Sequence, residues 1–225
     1  MSKYVVNVSS LQLARTRSSY NVTEIPSGSG SGFVWDKKGH IVTNFHVIQN
    51  ADKLKVSFSN GKTYPAKIVG VEPRKDIALL KVEKLAPAQL TNMNIANSNE
   101  LLVGQKTIAI GSPFGLEQSL TIGVVSATDR AILGIGRVTI KGMIQTDASI
   151  NPGNSGGPLL DSRGFLIGMN TMIFSKSGSS AGIGFAVPSN TINRIVNQII
   201  KFGRVVQPGL GIQAFSAQVS KRLGL

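Results

Sequence analysis

Cysteine is missing from the 225-residue sequence, and histidine occurs only twice. Without cysteine the chain has no disulfide framework and no thiolate nucleophile. The two histidines do not have the spacing of metal ligands, so we predict neither a metal site nor another cofactor. Long apolar runs are also missing, which excludes a transmembrane segment. Residues 1–4 lack the features of a secretory signal, so we expect that an export signal would lie outside this chain.

Acidic residues are few. The sequence contains 11 of them and 24 lysines and arginines, so the formal charge is +13. Such a charge raises the question of an anionic partner. The basic residues are scattered, with the densest clusters being pairs such as Lys37 and Lys38, and no aromatic-rich nucleic-acid signature accompanies them. We therefore predict a solvated basic surface and no specific nucleic-acid partner.

Short apolar segments of strand length, separated by turn residues, run through most of the sequence. Those in the first half lie at residues 33–35, 41–43, 54–58 and 77–82. The same pattern restarts at residue 106 and continues to residue 187. We therefore predict an all-β protein with a boundary near Gly104. The predicted units are residues 1–103, residues 104–203 and a C-terminal tail at 204–225.

One segment has helical periodicity. After Pro188, Ser189 is a candidate N-cap and Gly203 a candidate C-terminal exit. The apolar stripe between them consists of Ile192, Ile195, Val196, Ile199 and Ile200. We predict a helix that closes the second β unit.

Residues 27–32 alternate serine and glycine, a composition typical of flexible linkers. The tract leads directly into the apolar residues 33–35, however. We interpret it as a mobile loop that leads into the first β unit, and not as a boundary between domains.

Ser155 lies in the pentad G-N-S-G-G, residues 153–157. The pentad fits the nucleophile elbow of α/β-hydrolases, but that fold requires a histidine after the serine. Both histidines, His40 and His46, precede Ser155. A serine nucleophile at this position would follow its histidine in the chain, which is the order found in chymotrypsin.

The two histidines differ in their surroundings. His40 follows a turn glycine, where we expect an exposed surface position, whereas His46 follows an apolar strand that can hold the ring in a fixed orientation. The acid that orients this ring should be a carboxylate beside packed structure, and Asp76 directly precedes the apolar run at residues 77–82. The predicted catalytic triad is His46, Asp76 and Ser155.

The glycines around Ser155 have a chemical reason. The backbone must turn sharply there, and its amides must point at the oxyanion of a tetrahedral intermediate without obstruction by side chains. We predict an oxyanion hole at Gly153, Asn154 and Ser155, with the amides of Gly153 and Ser155 as its donors.

These motifs resemble those of the HtrA/Deg family of serine proteases. The matching segments are T-N-F-H-V-I around His46, R-K-D-I-A-L-L around Asp76, Q-T-D-A-S-I-N-P-G-N-S-G-G-P around Ser155 and G-I-G-F-A-V-P at residues 182–188. The resemblance extends over residues 28–212. It implies a chymotrypsin-like double β-barrel, with two perpendicular six-stranded barrels, a C-terminal helix and the triad in the cleft between the barrels.

The resemblance also implies a serine endopeptidase that degrades unfolded or damaged proteins. In that family the primary specificity pocket is small and apolar, and the matching positions are Ile150, Ile173 and Ile183, with Asn170 and Thr171 as further substrate-binding residues. Such a pocket suits valine, alanine or isoleucine before the scissile bond, because a charged side chain would lack a buried partner. Ordinary core packing is the other interpretation of the three isoleucines.

Regulation is predicted to take place in loops. Asn154 stands where chymotrypsin-type zymogens place an aspartate that receives a new N-terminal ammonium, so that switch is absent. The resemblance implies order–disorder changes in the loops at residues 129–141, 150–154 and 172–183. Arg130 matches the arginine of the family's sensor loop, and a solvated surface arginine is the alternative interpretation.

Relatives assemble as trimers through their N-terminal segments, and we predict a homotrimer. Tyr4, Val5 and Val6, followed by Leu11 and Leu13, could form this contact or a strand of the first barrel. The tail resembles the beginning of a PDZ domain that stops at the end of the chain.

By resemblance we expect the protein outside the cytoplasm, in a periplasm or the lumen of an organelle. Two other function classes stay open, a peptide-binding chaperone with little turnover and a basic nucleic-acid-binding module.

Overall fold

The computed structural model describes residues 4–15, 22–83, 85, 92–113, 118–134, 138–173, 182–206 and 222, with only the backbone given at Arg15, Val22, Met172 and Ile173. Within these residues the chain forms two closed barrels of six strands each. Neighbouring strands within each barrel pair in antiparallel fashion. The predicted all-β fold with two six-stranded barrels and a C-terminal helix is confirmed.

The first barrel is closed in the order β1-β2-β3-β6-β5-β4. Its strands are β1 (Val5–Arg15), β2 (Val22–Val34), β3 (His40–Thr43), β4 (Lys53–Ser57), β5 (Thr63–Glu72) and β6 (Ile77–Val82). A short helix, α1 (Phe45–Ile48), follows β3, and a 3₁₀ turn (Pro73–Lys75) precedes β6. His46 therefore lies in α1, and Asp76 lies between the 3₁₀ turn and β6.

The second barrel is closed in the order β7-β8-β9-β12-β11-β10. Its strands are β7 (Lys106–Gly111), β8 (Ser119–Leu133), β9 (Thr139–Thr146), β10 (Pro158–Leu160), β11 (Leu166–Ile173) and β12 (Gly184–Pro188). Ser155 lies just before β10, in the connection from β9. Gly104, near which we predict a domain boundary, lies between β6 of the first barrel and β7 of the second.

Two strands of the first barrel show how burial follows the sequence. Along β4, Leu54 and Val56 are buried while Lys53 and Lys55 are exposed, which is the alternation of a strand with one face in water. β6 is apolar without alternation because both of its faces are covered. Ala78 and Leu80 pack inside the first barrel, and Ile77 and Leu79 pack in a core shared with the second barrel.

That shared core joins the two barrels and the C-terminal helix. It contains Ile77 and Leu79 of β6, Ile110 of β7 and Met143 of β9, together with apolar side chains of the helix such as Ile195. Burial of apolar surface between the barrels fixes their contact. The connections that carry His46, Asp76 and Ser155 come from both sides of it.

The C-terminal helix, α2 (Ser189–Phe202), differs in two details from the prediction. Ser189 is the first helical residue and not the N-cap, because its hydroxyl donates to the carbonyl of Ala96 at 2.7 Å. Ile200 is 37% exposed and lies outside the buried stripe. Gly203 ends the helix in the left-handed conformation, as predicted, and its N–H donates to Ile199.

No helix in the described part of the chain is long and apolar enough to cross a membrane.

The Ser-Gly tract at residues 27–32 belongs to β2 and pairs with β1, so its interpretation as a mobile loop is wrong. Its glycines are required by close packing. A Cβ atom on Gly30 would lie 2.6 Å from Cγ2 of Val47 and 3.0 Å from the carbonyl oxygen of Ser155. Composition alone does not distinguish such a strand from a linker.

The N-terminal segment forms β1 of the first barrel, where Val5, Val6 and Val8 are buried. This is the second of the two interpretations that the sequence leaves open for it. Leu13 is 41% exposed on the same strand. Of the residues predicted for a trimer contact, Val5 and Val6 are thus inside the barrel and Leu13 is accessible, and the trimer stays a prediction.

The predicted loops are shorter than expected. β8 and β9 form a long hairpin that contains most of residues 129–141, so a loop over that whole range is wrong, and residues 135–137 are outside the described part. In the predicted loop at 172–183, residues 172–173 belong to β11 and residues 174–181 are outside the described part. Of the predicted tail, the structure describes only residues 204–206 and 222.

Candidate active site

His46 and Asp76 form a pair with two hydrogen bonds. Nδ1 of His46 lies 2.7 Å from Oδ2 of Asp76, and the backbone N–H of His46 donates to Oδ1 at 2.9 Å. The two contacts fix the ring against the carboxylate. A carboxylate that accepts from Nδ1 selects the tautomer with its proton on Nδ1, which leaves Nε2 as the basic nitrogen.

Asp76 has a left-handed backbone, with φ of 55° and ψ of 42°, which is uncommon for a residue other than glycine. Hydrogen bonds on both sides hold it there. Its N–H donates to Pro73, and its carbonyl accepts from Nδ2 of Asn44 at 2.8 Å and from the N–H of Phe45 at 3.2 Å. The 3₁₀ turn and α1 are thereby joined, which brings the carboxylate to the imidazole.

Burial is uneven within this pair. The Asp76 side chain is 6% exposed and the His46 side chain 22%. The carboxylate is therefore shielded from water by the first barrel, while the imidazole reaches the surface. A histidine that acts on a substrate needs this arrangement, because its free nitrogen must meet a group that arrives from solvent.

Ser155 follows a tight turn at residues 151–154. The N–H of Asn154 donates to the carbonyl of Asn151 at 2.9 Å, and Gly153 has φ of 97°. Pro152 at the second position and a glycine with positive φ at the third are the signature of a type II turn. A Cβ atom at Gly153 would lie 2.6 Å from Cβ of Pro113, so glycine is required by conformation and by space.

The strand β11 holds the other end of this loop. The N–H of Gly156 donates to the carbonyl of Asn170 at 2.8 Å, and the N–H of Asn170 donates to Gly157 at 2.9 Å. The Asn170 side chain is fully buried, and its Nδ2 donates to Pro158 at 3.2 Å. Asn170 therefore supports the Ser155 loop from inside, although the sequence predicted it as a substrate-binding residue.

The hydroxyl of Ser155 donates to the carbonyl of Thr171 at 3.0 Å. Ser155 and His46 are both described, and no hydrogen bond joins them in this structure. Their neighbours are nevertheless in direct contact. Nδ2 of Asn44 donates to Oγ1 of Thr171 at 3.1 Å and to the carbonyl of Asp76 at 2.8 Å. A continuous series of contacts therefore leads from Ser155 to the His46–Asp76 pair across the two barrels.

The loop also presents two unengaged amides. Within the described part of the chain, the N–H groups of Gly153 and Ser155 donate to no protein acceptor, whereas the N–H of Asn154 is engaged with Asn151. Two free amides, one on the serine itself and one two residues before it, are the donors that a tetrahedral oxyanion requires. Of the predicted oxyanion-hole residues, Asn154 has an amide that already has an acceptor.

The Asn154 side chain points into the second barrel and is 3% exposed. Its Oδ1 accepts from the hydroxyl of Ser119 at 3.0 Å. Gly111 lies against it, because a Cβ atom on Gly111 would be only 2.1 Å from Oδ1. A neutral amide held by a serine hydroxyl occupies this position, and it helps to fix the residue that precedes Ser155.

The three isoleucines of the predicted specificity pocket have different surroundings. Ile150 is 1% exposed and lies close to Gly184, at which a Cβ atom would be 2.7 Å from its Cδ1. Ile183 is half-buried and packs against the core that the barrels share. The Ile173 side chain is outside the described part. The predicted role of these residues in specificity stays a prediction.

Arg130, predicted as a regulatory residue, lies in β8 opposite Met143 of β9. Its side chain is exposed, and its Nε donates to Oε1 of Gln145 at 3.1 Å. Its regulatory role stays a prediction.

The described residues contain no group of three or more His, Asp or Glu side chains that could hold a metal ion.

A cavity of about 240 Å³ lies beside Asp76. Phe45 and Pro73 line it from the first barrel, and Val138 and Ile140 line it from the second. Its lining is largely apolar, and it lies at the junction of the barrels next to the His46–Asp76 pair.

Two residues at this site were missed in the sequence. Asn44 joins Asp76 to Thr171, and Ser31 donates its backbone N–H to the carbonyl of Ser155 at 2.8 Å. Asn44 lies within the T-N-F-H-V-I motif, so the motif contained a signal for it. Ser31 gave no such signal, because its tract has the composition of a linker.

Comparison with known proteins agrees with this geometry. Residues 30–169 match the trypsin-like peptidase domain. The chain is 50% identical to Protease Do-like 1, chloroplastic, of Arabidopsis thaliana, over 98% of the chain and 50% of the relative. It is 46% identical to the periplasmic serine endoprotease DegP of Escherichia coli K12, over 81% of the chain and 38% of the relative. The chain thus spans about half the length, or less, of these curated relatives.

A solved structure of an HtrA-type protease, AlgW with decapeptide, matches the whole chain and 73% of its own length. The TM-score is 0.81 at 36% sequence identity. Sequence similarity and the same fold are thus found together in proteins with serine protease names. The chain belongs to the trypsin-like peptidase family and, within it, to the HtrA/Deg group of serine proteases.

Proposed function

We propose that this chain is a serine endopeptidase in which Ser155 is the nucleophile, His46 the general base and Asp76 the orienting acid. The series of hydrogen bonds from Ser155 through Thr171 and Asn44 to Asp76 carries this proposal. It supports the presence of a hydroxyl, an imidazole and a carboxylate at one junction between the barrels, next to two unengaged amides.

The first half of the reaction acylates the enzyme. The Ser155 hydroxyl rotates about its Cα–Cβ bond, away from Thr171, and donates to Nε2 of His46. Oγ then attacks the peptide carbonyl while its proton passes to Nε2, and the amides of Gly153 and Ser155 stabilise the oxyanion. Collapse of the tetrahedral intermediate breaks the C–N bond, and the leaving amine takes the proton from His46.

The second half restores the enzyme. Water attacks the acyl group, loses its proton to His46, and a second tetrahedral intermediate collapses to the carboxylic acid and the Ser155 hydroxyl. Asp76 stabilises the imidazolium that forms in each half. Because the carboxylate is shielded from water and held by two contacts with His46, its field acts on the ring with little screening.

The proposed substrates are unfolded or damaged polypeptides, cleaved after small aliphatic residues. The relatives are named as DegP and Do-like proteases, and one solved HtrA-type protease is named with a bound decapeptide. The aliphatic side chain of Ile150 supports a preference for valine, alanine or isoleucine. We extend the proposal to a homotrimer and to a periplasmic or organellar location, since the relatives are named as periplasmic and chloroplastic.

The test is digestion of an unfolded protein, such as casein, by the wild type and by Ser155→Ala. We expect cleavage by the wild type and a rate reduced by about 10⁴-fold or more in the variant, because no other group can form the acyl-enzyme. Ser162→Ala is the matched control, since Ser162 is an exposed serine of the same barrel outside the loop, and it should cleave like the wild type.

The cleavage products give two further results. Their sequences should show mainly small aliphatic residues before the cut, and a majority of basic or aromatic residues would contradict the proposed pocket. Equal activity of Ser155→Ala and the wild type would contradict the proposed nucleophile. If neither cleaves but both prevent aggregation of the unfolded protein, the chaperone function is the correct one.

A further inference from the structure

Ser31 lies in β2 of the first barrel, and its side chain is fully buried. Its hydroxyl donates to the carbonyl of Gly153 at 2.5 Å and accepts from the N–H of Ser112 at 2.7 Å. Its backbone N–H donates to the carbonyl of Ser155 at 2.8 Å. One residue of the first barrel therefore bonds the carbonyl groups on both sides of Asn154 in the second.

Further contacts hold Ser31 in place. Its carbonyl accepts from Oγ1 of Thr43 at 2.7 Å. A Cβ atom on Gly156 would lie 2.1 Å from this carbonyl oxygen, so the loop and β2 are in direct backbone contact. Ser112, whose N–H donates to the Ser31 hydroxyl, is itself held by Asn7, because Nδ2 of Asn7 donates to the carbonyl of Ser112 at 2.9 Å. The hydroxyl thus has an acceptor on one side, the Gly153 carbonyl, and a donor on the other, the Ser112 N–H.

The Ser155 loop contains a peptide whose orientation decides where the Gly153 amide points. A type II turn changes to type I when the peptide between its two central residues rotates, and here that peptide carries the N–H of Gly153. Glycine resists the rotation least, since both signs of φ are open to it. The bond from Asn154 to Asn151 occurs in both forms, so it does not select one, and the Gly153 carbonyl that Ser31 bonds lies on the same peptide as the Asn154 N–H. Ser31 therefore acts on the position of Gly153 and not directly on the rotating peptide.

We propose that Ser31 is a positioning residue for the oxyanion hole. Its hydroxyl bonds the Gly153 carbonyl and its N–H bonds the Ser155 carbonyl, so the two residues whose amides form the hole are both held by the first barrel. The inference rests on the proposed function, because it assigns the loop conformation to catalysis. It also gives the Ser-Gly tract a role that its composition does not suggest.

The experiment compares Ser31→Ala with Ser10→Ala. Ser10 is also a buried serine of the first barrel, but its hydroxyl accepts from Ser27 and lies outside the Ser155 loop. Loss of one whole oxyanion donor costs about 10²–10³-fold in kcat, so a loop that is only partly misaligned should lower kcat by about 10–100-fold. KM should change by less than about threefold, because the loop acts on the transition state and not on ground-state binding.

A peptide boronic acid supplies the readout that a general loss of packing would not move. Ser155 forms a tetrahedral adduct with boron, and one of its oxygens takes the place of the oxyanion. In Ser31→Ala the boronate should bind more weakly by the same factor by which kcat/KM falls, while Ser10→Ala keeps both values. Thermal unfolding shows whether each variant is folded at the assay temperature.

Each outcome decides between the two claims. If the wild type cleaves, Ser155→Ala does not, and Ser31→Ala equals the wild type in kcat and boronate affinity, Ser31 is not a positioning residue and the proposed function stands. If the wild type neither cleaves nor binds the boronate, the proposed function and the inference fall together. If Ser31→Ala is unfolded, Ser31→Cys nearly keeps the volume with a weaker hydrogen bond, and unchanged kcat in that folded variant would overturn the inference.

Discussion

The chain contains two His–Asp pairs that are equally short. Nδ1 lies 2.7 Å from a carboxylate oxygen both in His40–Asp36 and in His46–Asp76. In each pair the backbone N–H of the histidine also donates to the other oxygen of the aspartate, at 3.3 Å and 2.9 Å. Pair geometry alone therefore does not distinguish a structural pair from one suited to catalysis.

The two pairs differ in which partner is exposed. In His40–Asp36 the histidine is 11% exposed and the aspartate 22%, whereas in His46–Asp76 the histidine is 22% exposed and the aspartate 6%. His40 was expected at the surface and is buried, so that prediction is wrong. A buried imidazole with a partly accessible acid stabilises a turn. A buried acid with a partly accessible imidazole can act on another molecule.

Replacing the two histidines should give the largest contrast. In His46→Ala we expect kcat/KM to fall by about 10⁴-fold or more, because Ser155 loses its base. In His40→Ala turnover should stay within about threefold of the wild type, since no group of that pair touches the Ser155 loop. Peptide hydrolysis by the purified variants measures both rates. A comparable loss of kcat/KM in the two variants would contradict the distinction between a catalytic and a structural pair.

Replacing the two aspartates tests the role of the acid. Asp76→Asn should lower kcat by about 10⁴-fold with the fold intact, because an amide that donates to Nδ1 selects the wrong tautomer. Asp36→Asn should leave kcat nearly unchanged. Circular dichroism confirms that both variants are folded, and the kinetics would contradict the assignment if Asp36→Asn were the more damaging change.

The smallest effect concerns stability in acid. Burial alone raises the pKa of the Asp36 carboxyl, but hydrogen bonds from the His40 ring, the His40 amide and the Lys38 amide lower that pKa below its usual 3.8. A lowered folded pKa stabilises the protein above the unfolded pKa, and this stabilisation is lost as the pH falls through the folded value. We expect Asp36→Asn to reduce the free energy of unfolding by about 1 kcal/mol at pH 7.

Urea unfolding of the wild type and Asp36→Asn at pH 7 and at pH 3 measures this difference. The gap between the two proteins should narrow at pH 3, because below its usual pKa of 3.8 the Asp36 carboxyl of the unfolded chain takes up a proton more readily than the folded one, whose pKa is lower. A gap of the same size at both pH values would show that the charge of Asp36 does not contribute. The pair would then act only through its packing.

The sequence predicts those features that short segments determine. The apolar run at residues 77–82 predicts a buried strand, and the positive φ at Gly203 follows from its place after a helical stripe. His46 and Asp76, singled out by their flanking residues, lie in contact. Each of these depends on a few neighbours along the chain, which is the information that a pattern contains.

Other features depend on contacts between distant parts of the chain. Ser31 and Gly153 are 122 residues apart, and nothing near Ser31 in the sequence indicates the carbonyl that it binds. Ser189 has a good partner for its hydroxyl at Ala96, which competes with the capping role that local sequence suggests. His40 is an exception, because its partner Asp36 is only four residues away and the pair could have been found as a turn contact.

The bonds from β2 to the Ser155 loop make turnover sensitive to the alignment of the two halves of the molecule. A shift of one barrel against the other by a fraction of a hydrogen-bond length would disturb the nucleophile and its base while both hydrophobic interiors stayed intact. Enzymatic rate should therefore respond to heat, pressure or a bound neighbour before any spectroscopic sign of unfolding appears. We therefore expect the contacts between the barrels, and not the hydrophobic interior of either barrel, to limit the temperature and pressure range in which the enzyme is active.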